Sequence, residues 1–170
     1  TDTVNLKNFW IRRIRRLFPA ILTMVTCLIF ASALFDRALF TKACSDLPST
    51  LLGYNNWWQI YNHVSYFENA GAPSPLTHFW SLAIEAQFYL VYPVLFKCIS
   101  KHKNRKKVLT GITIAGAIVS LLLLGFLFNP SKDPSRCYYG TDTRAFSLRF
   151  GAVLALLVEK SQISDEKSKG

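Results

Sequence analysis

Residues 108–128 read VLTGITIAGAIVSLLLLGFLF, a stretch without one charged side chain. An α-helix rises about 1.5 Å per residue, so a run of this length covers the roughly 30 Å hydrocarbon core of a bilayer. Its reading decides the fold class, because so long an uncharged run is expected to span a membrane as a helix. Residues 17–35 (LFPAILTMVTCLIFASALF) repeat the pattern, again uncharged. Two further stretches are apolar but carry ionisable groups: residues 76–96 contain His78 and Glu85, and residues 145–158 contain Arg149. Such groups are costly in lipid and normally face a bundle interior or a water-filled cavity.

Composition agrees with this reading but does not carry it. The 170 residues are 51% hydrophobic and 18% charged, with 20 Lys plus Arg against 10 Asp plus Glu and a formal charge of +10. Disordered, collagen-like and disulfide-dense classes are excluded, since four cysteines in a chain of this length are no framework. The charges are concentrated in Arg12–Arg16, in residues 97–107 and at the C-terminus. A nucleic-acid partner would draw on the same charge, but a basic cluster pinned to a bilayer suits that role poorly, so none is expected.

Residues 47–67 (LPSTLLGYNNWWQIYNHVSYF) are too polar for a lipid-facing span. The positive-inside rule puts the basic cluster before residue 17 and the six cations of residues 97–107 on the cytoplasmic side. If residues 17–35 exit and 76–96 return, parity leaves no crossing between them. The expected fold is therefore all-α, a polytopic membrane helix bundle of about four spans plus one re-entrant or interfacial segment at 47–67. Were 47–67 to cross, one basic cluster would lie outside. Residues 1–16 form a cytoplasmic basic segment, 17–158 the transmembrane part and 159–170 a polar cytoplasmic tail, of which residues 161–170 are expected to be disordered. Residues 36–46 and 129–143 are outer loops, where Cys44 with Cys137 is the one disulfide this topology favours. The N-terminal run with Ala31-Ser32-Ala33 also imitates a secretory signal, but residues 17–35 are longer than most signal cores. No cysteine or histidine pair has zinc-type spacing, and no metal is expected.

Two groups of residues are able to carry chemistry. Arg12, Arg13, Arg15 and Arg16 lie at the cytoplasmic end of the first span. They either snorkel to lipid phosphates or grip a phosphorylated donor in bidentate fashion. Along residues 73–93 (PSPLTHFWSLAIEAQFYLVYP), His78, Ser81, Leu82, Glu85 and Tyr89 recur at steps of three or four, which on a helix is one face. That face is either a hydrogen-bond network joining helices or a functional site. Glu85 favours the second, since an intramembrane carboxylate must be protonated or paired, and Arg144 and Arg149 are the expected partners.

The segments FWIRRIRRLFPA, NNWWQIYNHVSYF, PSPLTHFWSLAIEAQFYLVYP and YYGTDTRAFSLRFGAVLALL, in that order, resemble the integral-membrane acyltransferase 3 family, over roughly residues 5–158. These are bacterial enzymes that acylate cell-wall and surface glycans, and PSPLTHFWSLAIE is worded most like the peptidoglycan O-acetyltransferase type of Gram-positive bacteria. The family's Arg-x-x-Arg-x-x-Pro pattern matches Arg13, Arg16 and Pro19, and the resemblance assigns Arg13 and Arg16 to binding acyl-CoA, acetyl-CoA above all, as donor substrate. Its His-x-Trp-Ser-Leu-x-x-Glu pattern matches His78, Trp80, Ser81, Leu82 and Glu85, with His78, Ser81 and Glu85 as the expected catalytic residues. Its Thr-Asp-x-Arg pattern matches Thr141, Asp142 and Arg144. Asp142, Arg144 and Arg149 are expected as structural or intramembrane charge partners. Ala86 stands where many relatives carry a second carboxylate.

The resemblance implies acyl transfer from a thioester to a sugar hydroxyl, with a base to deprotonate the acceptor and donors to steady the oxyanion. No bound cofactor is implied. The expected partners are the lipid bilayer, acyl-CoA, a glycan acceptor and the N-terminal helices of a longer parent enzyme, and the expected location is the bacterial cell membrane. Family members are longer, and earlier helices carry an Arg and the histidine that acts as base. This chain therefore reads as an internal piece of such an enzyme. A transporter or channel would also bury Glu85, Arg144 and Arg149, and a non-catalytic membrane remnant would keep the spans without the chemistry.

Overall fold

The computed structural model describes residues 5–67 and 73–168, with the side chains of residues 155–168 left outside the description. Its regular elements are α1 (Leu6–Phe35), α2 (Arg37–Leu51), α3 (Asn55–Tyr61), α4 (Trp80–Ile99), α5 (Arg105–Leu127), α6 (Ser135–Tyr139) and α7 (Thr141–Ser168), with a 3-10 turn at Thr77–Phe79 leading into α4. Among the described residues the regular structure is all helix, without a strand. Three helical stretches are long and apolar enough to cross a membrane: Leu6–Phe35, Thr77–Ile99 and Arg105–Leu127. Their apolar side chains point largely outward, as Phe126 at 88% exposure illustrates. A surface of that kind is stable in lipid, where no water penalises it. The residues of the fourth expected span lie on α7, with side chains beyond residue 154 outside the description.

Local chemistry sets the helix ends. The Asn5 side chain caps α1 by accepting from the Asn8 amide at 3.2 Å. At the other end Asp36, in extended backbone, stops α1 and caps α2 by accepting from the amides of Ala38 at 2.7 Å and Leu39 at 3.3 Å. One carboxylate thus turns the chain back on itself. Residues 36–46, expected as an outer loop, are in consequence mostly helix, and α2 packs along α1. Val25 of α1, Ala43 of α2, and Leu76 and Phe79 before α4 form the buried core of that corner, with Ile21, Leu28, Ile29 and Leu47 around it.

Residues 47–67 do not form one helix. α2 ends at Leu51, Gly53 takes the left-handed backbone (φ 73°) that favours glycine, and α3 lasts seven residues. At about 1.5 Å per residue α3 is too short to cross a bilayer. α1 runs unbroken from Leu6 through the arginines into the apolar stretch, so the basic segment and the first span share one helix. The tail expected to be disordered continues α7 as helix to Ser168, and residues 169–170 lie outside the description. The Cys44–Cys137 bond is absent: both thiols are free, with Cys137 buried in α6 and Cys44 exposed on α2.

α5 and α7 form the most intimate helix pair. Thr113, Ala117 and Ser120 are buried along α5, and such small side chains let helix backbones approach. The Ser120 hydroxyl donates to the Asp142 carbonyl at 2.5 Å and accepts from the Phe146 amide at 3.2 Å. Gly116 opens room for a charged group: a Cβ there would overlap the Arg149 guanidinium, which lies across the glycine.

Candidate functional site

α4 presents two faces with different partners. Glu85 and Tyr89, one helical turn apart, lie towards α1. The Tyr89 hydroxyl donates to Glu85 Oε1 at 2.5 Å, and the Arg13 guanidinium lies 3.9 Å from the centre of the Tyr89 ring. Trp10 Nε1 donates to the Tyr89 carbonyl at 3.2 Å, pinning the start of α1 to the second half of α4. Arg13 is half-buried, and its Nε is a buried donor without a hydrogen-bond partner. Arg12, Arg15 and Arg16 are exposed. Arg13 therefore differs from Arg16, its expected companion one turn along the helix, in entering the helix interface. Beside it a cavity of about 270 Å³ runs between α1 and α4 to the end of α2, lined by Leu17, Ile21, Leu82, Ala86 and Gly53 among others. Ala86, where many relatives were expected to carry a carboxylate, leaves this wall apolar.

The opposite face of α4, with Ile84, Gln87 and Phe88, looks towards α5 and α7 and shares a cavity of about 300 Å³ with Arg149. This explains why Glu85 meets neither expected arginine. Arg149 packs on Gly116, and Arg144 stands 4.1 Å from the centre of the Tyr138 ring while its Nε donates to the Tyr138 carbonyl at 3.3 Å. Glu85 instead finds a phenol donor four residues along its own helix.

His78 and Ser81 are exposed at the start of α4, where the Ser81 hydroxyl donates to the His78 carbonyl at 3.3 Å. Ser81, Glu85 and Tyr89 thus follow one stripe, with His78 on the 3-10 turn at its head. Around that head stands an aromatic cluster that sequence reading missed. Tyr66 stacks on Tyr138 at 4.2 Å, and Trp80 lies 4.7 Å from Tyr138 and 5.7 Å from Tyr139. Asp142 belongs to the scaffold of this region, gripped by both terminal nitrogens of Arg136 at 3.0 and 2.9 Å. That double bond from Arg136 holds the Asp142 carboxyl below the usual carboxylate range and raises Arg136 in turn. Burial, together with neighbouring phenols and carboxylates, pushes the Tyr139 hydroxyl up to about 12.

A second group missed from the sequence is a buried amide network. Asn55 and Asn56 are 0% exposed and Gln59 is 1% exposed, although their polarity suggested an interface. Asn56 Nδ2 donates to the Tyr139 carbonyl at 3.0 Å and the Thr141 hydroxyl at 2.8 Å, while its Oδ1 accepts from Gln87 Nε2 at 2.9 Å. Gln87 also donates to the Gly53 carbonyl at 3.1 Å and accepts from Thr141 at 2.6 Å. Asp46 accepts from Trp58 Nε1 at 2.8 Å and Gln59 Nε2 at 3.2 Å. Amides donate and accept together, so four elements lock around one hub without a buried ion pair. The signal was the run of amides and tryptophans at 55–59 within an otherwise apolar setting.

The acyltransferase domain family profile matches residues 2–169. A peptidoglycan O-acetyltransferase of Listeria monocytogenes is 41% identical over 163 residues, covering 96% of this chain and 26% of the relative. A Bacillus subtilis protein named as a candidate peptidoglycan O-acetyltransferase is 40% identical over 166 residues, with the same coverage of 96% and 26%. A Staphylococcus aureus protein named as a candidate O-acetyltransferase is 37% identical over 171 residues, covering 99% of this chain and 28% of the relative. The chain spans about a quarter of the length of the curated relatives it matches. No solved structure matches it.

Proposed function

Since this chain belongs to the acyltransferase domain family, we propose that it is part of a multi-pass O-acyltransferase of the bacterial cell membrane that moves an acyl group, acetyl above all, from cytoplasmic acyl-CoA to hydroxyls of a cell-wall or surface glycan such as peptidoglycan. In this reading α1, α4, α5 and α7 cross the bilayer, and residues 47–67 lie re-entrant or interfacial on the outer side. The observation that carries the reading is the continuity of one helix face. From Arg13, at the arginine-rich end of α1, contacts run through Tyr89 to Glu85, and the same stripe of α4 ends at Ser81 and His78. A donor thioester and an acceptor hydroxyl that enter from opposite sides need such a line of polar groups between them.

The half-buried Arg13 and the exposed Arg16 supply guanidinium N–H groups for phosphate oxygens of the donor. His78 and Ser81 hydrogen-bond the acceptor or the tetrahedral intermediate, and Glu85 orients the groups around it through Tyr89. The base that takes the acceptor proton comes from the N-terminal helices of the parent enzyme. The test is Glu85→Ala in the full-length parent, with membrane expression matched to wild type. Loss of O-acetyl esters from isolated glycan is expected, and esters at the wild-type level would overturn the reading.

A further inference from the structure

The α5–α7 pair holds a cation without a counter-charge. Gly116, across which the Arg149 guanidinium lies, is the middle residue of α5 (Arg105–Leu127). At about 1.5 Å per residue, roughly 16 Å of helix separates it from either end. That is further than an arginine side chain extends, so in a membrane-crossing α5 the charge sits at mid-bilayer and cannot snorkel to a headgroup. Among the described residues Arg149 makes no hydrogen bond or ion pair. Its nitrogens keep surface that a partner can reach: the residue is half-buried, and the sealed polar atoms without partners lie elsewhere, in Arg13, Thr77 and Tyr139.

The carboxylates whose side chains are described are all engaged. Asp36 caps α2, Asp46 accepts from Trp58 and Gln59, Glu85 from Tyr89, Asp133 from Ser135, and Asp142 from Arg136. A second copy of the chain would bring the same carboxylates, equally occupied. An ionised side chain inside a membrane is costly unless it is paired, so the site calls for an anion from elsewhere.

The surroundings say what kind of anion. Arg149 borders the cavity of about 300 Å³ between α4, α5 and α7, where Phe88, Leu95, Ile112 and Leu148 supply apolar wall. Gln87, Thr113 and Thr141 in the same wall are already bonded within the protein. A sugar or a nucleotide would need several free polar partners, whereas one unanswered charge in an apolar wall complements an apolar surface that carries one acid. Leu90 and Val91, which also line the cavity, are exposed and extend that apolar face along α4.

We infer that this face of α4, α5 and α7 docks a further membrane-spanning segment of the parent enzyme, through an ion pair between the Arg149 guanidinium and an Asp or Glu carboxylate of that segment. The inference rests on the reading of the chain as part of a longer multi-pass enzyme, but the pairing is measurable without turnover.

The test is the melting temperature of the detergent-solubilised full-length parent. Arg149→Met keeps an apolar side chain of similar length and strands the partner acid, so a fall of about 5 °C or more is expected. The variant is then combined, one at a time, with Asp→Asn or Glu→Gln at each carboxylate in the apolar segments outside these 170 residues. One neutralisation should restore at least half of the loss, because a pair removed whole costs far less than a pair broken. Where Arg149→Met alone gives no folded protein, recovery of folded yield by the same neutralisation is the readout. An unchanged melting temperature in Arg149→Met, or a loss that no neutralisation repairs, would overturn the inference. So would a loss seen only when phosphatidylglycerol is added to the detergent, which would assign the cation to lipid. A repairing acid in a parent that forms no O-acetyl esters would leave the ion pair standing and sink the transferase reading instead.

Discussion

Replacing Asn56 by Leu keeps the volume of a fully buried side chain and deletes its three hydrogen bonds, to the Tyr139 carbonyl, to Thr141 and from Gln87. Gln87 keeps the Gly53 carbonyl, and Thr141 still donates to Gln87, so the Tyr139 carbonyl suffers most. At about 1 kcal/mol net per bond the loss is about 3 kcal/mol. The average of about 0.6 kcal/mol for interhelical bonds in a membrane protein sets a floor near 2 kcal/mol. The assay is unfolding of the detergent-solubilised protein by titration with dodecyl sulfate, read by tryptophan fluorescence, since Trp57 and Trp58 adjoin the mutated position. Asn62→Ala is the control: Asn62 is exposed and among the described residues its side chain bonds only the Trp58 carbonyl, at 2.9 Å, so its loss should cost under about 0.5 kcal/mol. Asn56→Leu within about 0.5 kcal/mol of wild type would refute the hub, because a buried network cannot lose its centre at the cost of a surface group.

Two more outcomes follow from the same geometry. Gly116→Leu places a side chain where the Arg149 guanidinium lies and should destabilise the α5–α7 pair by about 1–3 kcal/mol; adding Arg149→Ala should recover much of this, and purely additive losses would show that the two positions do not compete. The Arg136–Asp142 pair predicts a pH dependence whose sign follows from the depressed Asp142 carboxyl: its stabilisation is present above the unfolded value of about 3.9 and is lost as pH falls through the lower folded value. The gap in melting temperature between wild type and Asp142→Asn should thus be constant at neutral pH and close in acid, and a gap that widens on acidification would contradict the pairing.

The spans were legible because lipid imposes one rule on every residue of a crossing helix, and that rule is readable in composition alone. The stripe of Ser81, Glu85 and Tyr89 was legible for a similar reason, since helical spacing puts those residues on one face whatever packs against it. Glu85's partner was not legible. Helical spacing says which residues share a face but not which helix that face meets, and α4 turns Glu85 towards α1 while Arg144 and Arg149 face Tyr138 and α5. The same limit hid Gln87, one polar residue on an apolar helix until Asn56 and Thr141 are brought against it.

By itself, then, the sequence determined that this is a helical membrane protein with an arginine-rich end, a polar stripe on α4 and the motifs of its family. Each of these depends on short-range periodicity or on the solvent that surrounds a helix. Only the tertiary structure decided that α2 packs along α1, that the amides of α3 are buried against α4, α6 and α7, that Arg13 enters the helix interface to cover Tyr89, and that Tyr139 is buried with a bare hydroxyl. Those are contacts between residues far apart in the chain, chosen by how whole helices fill space against one another, and no local pattern encodes them.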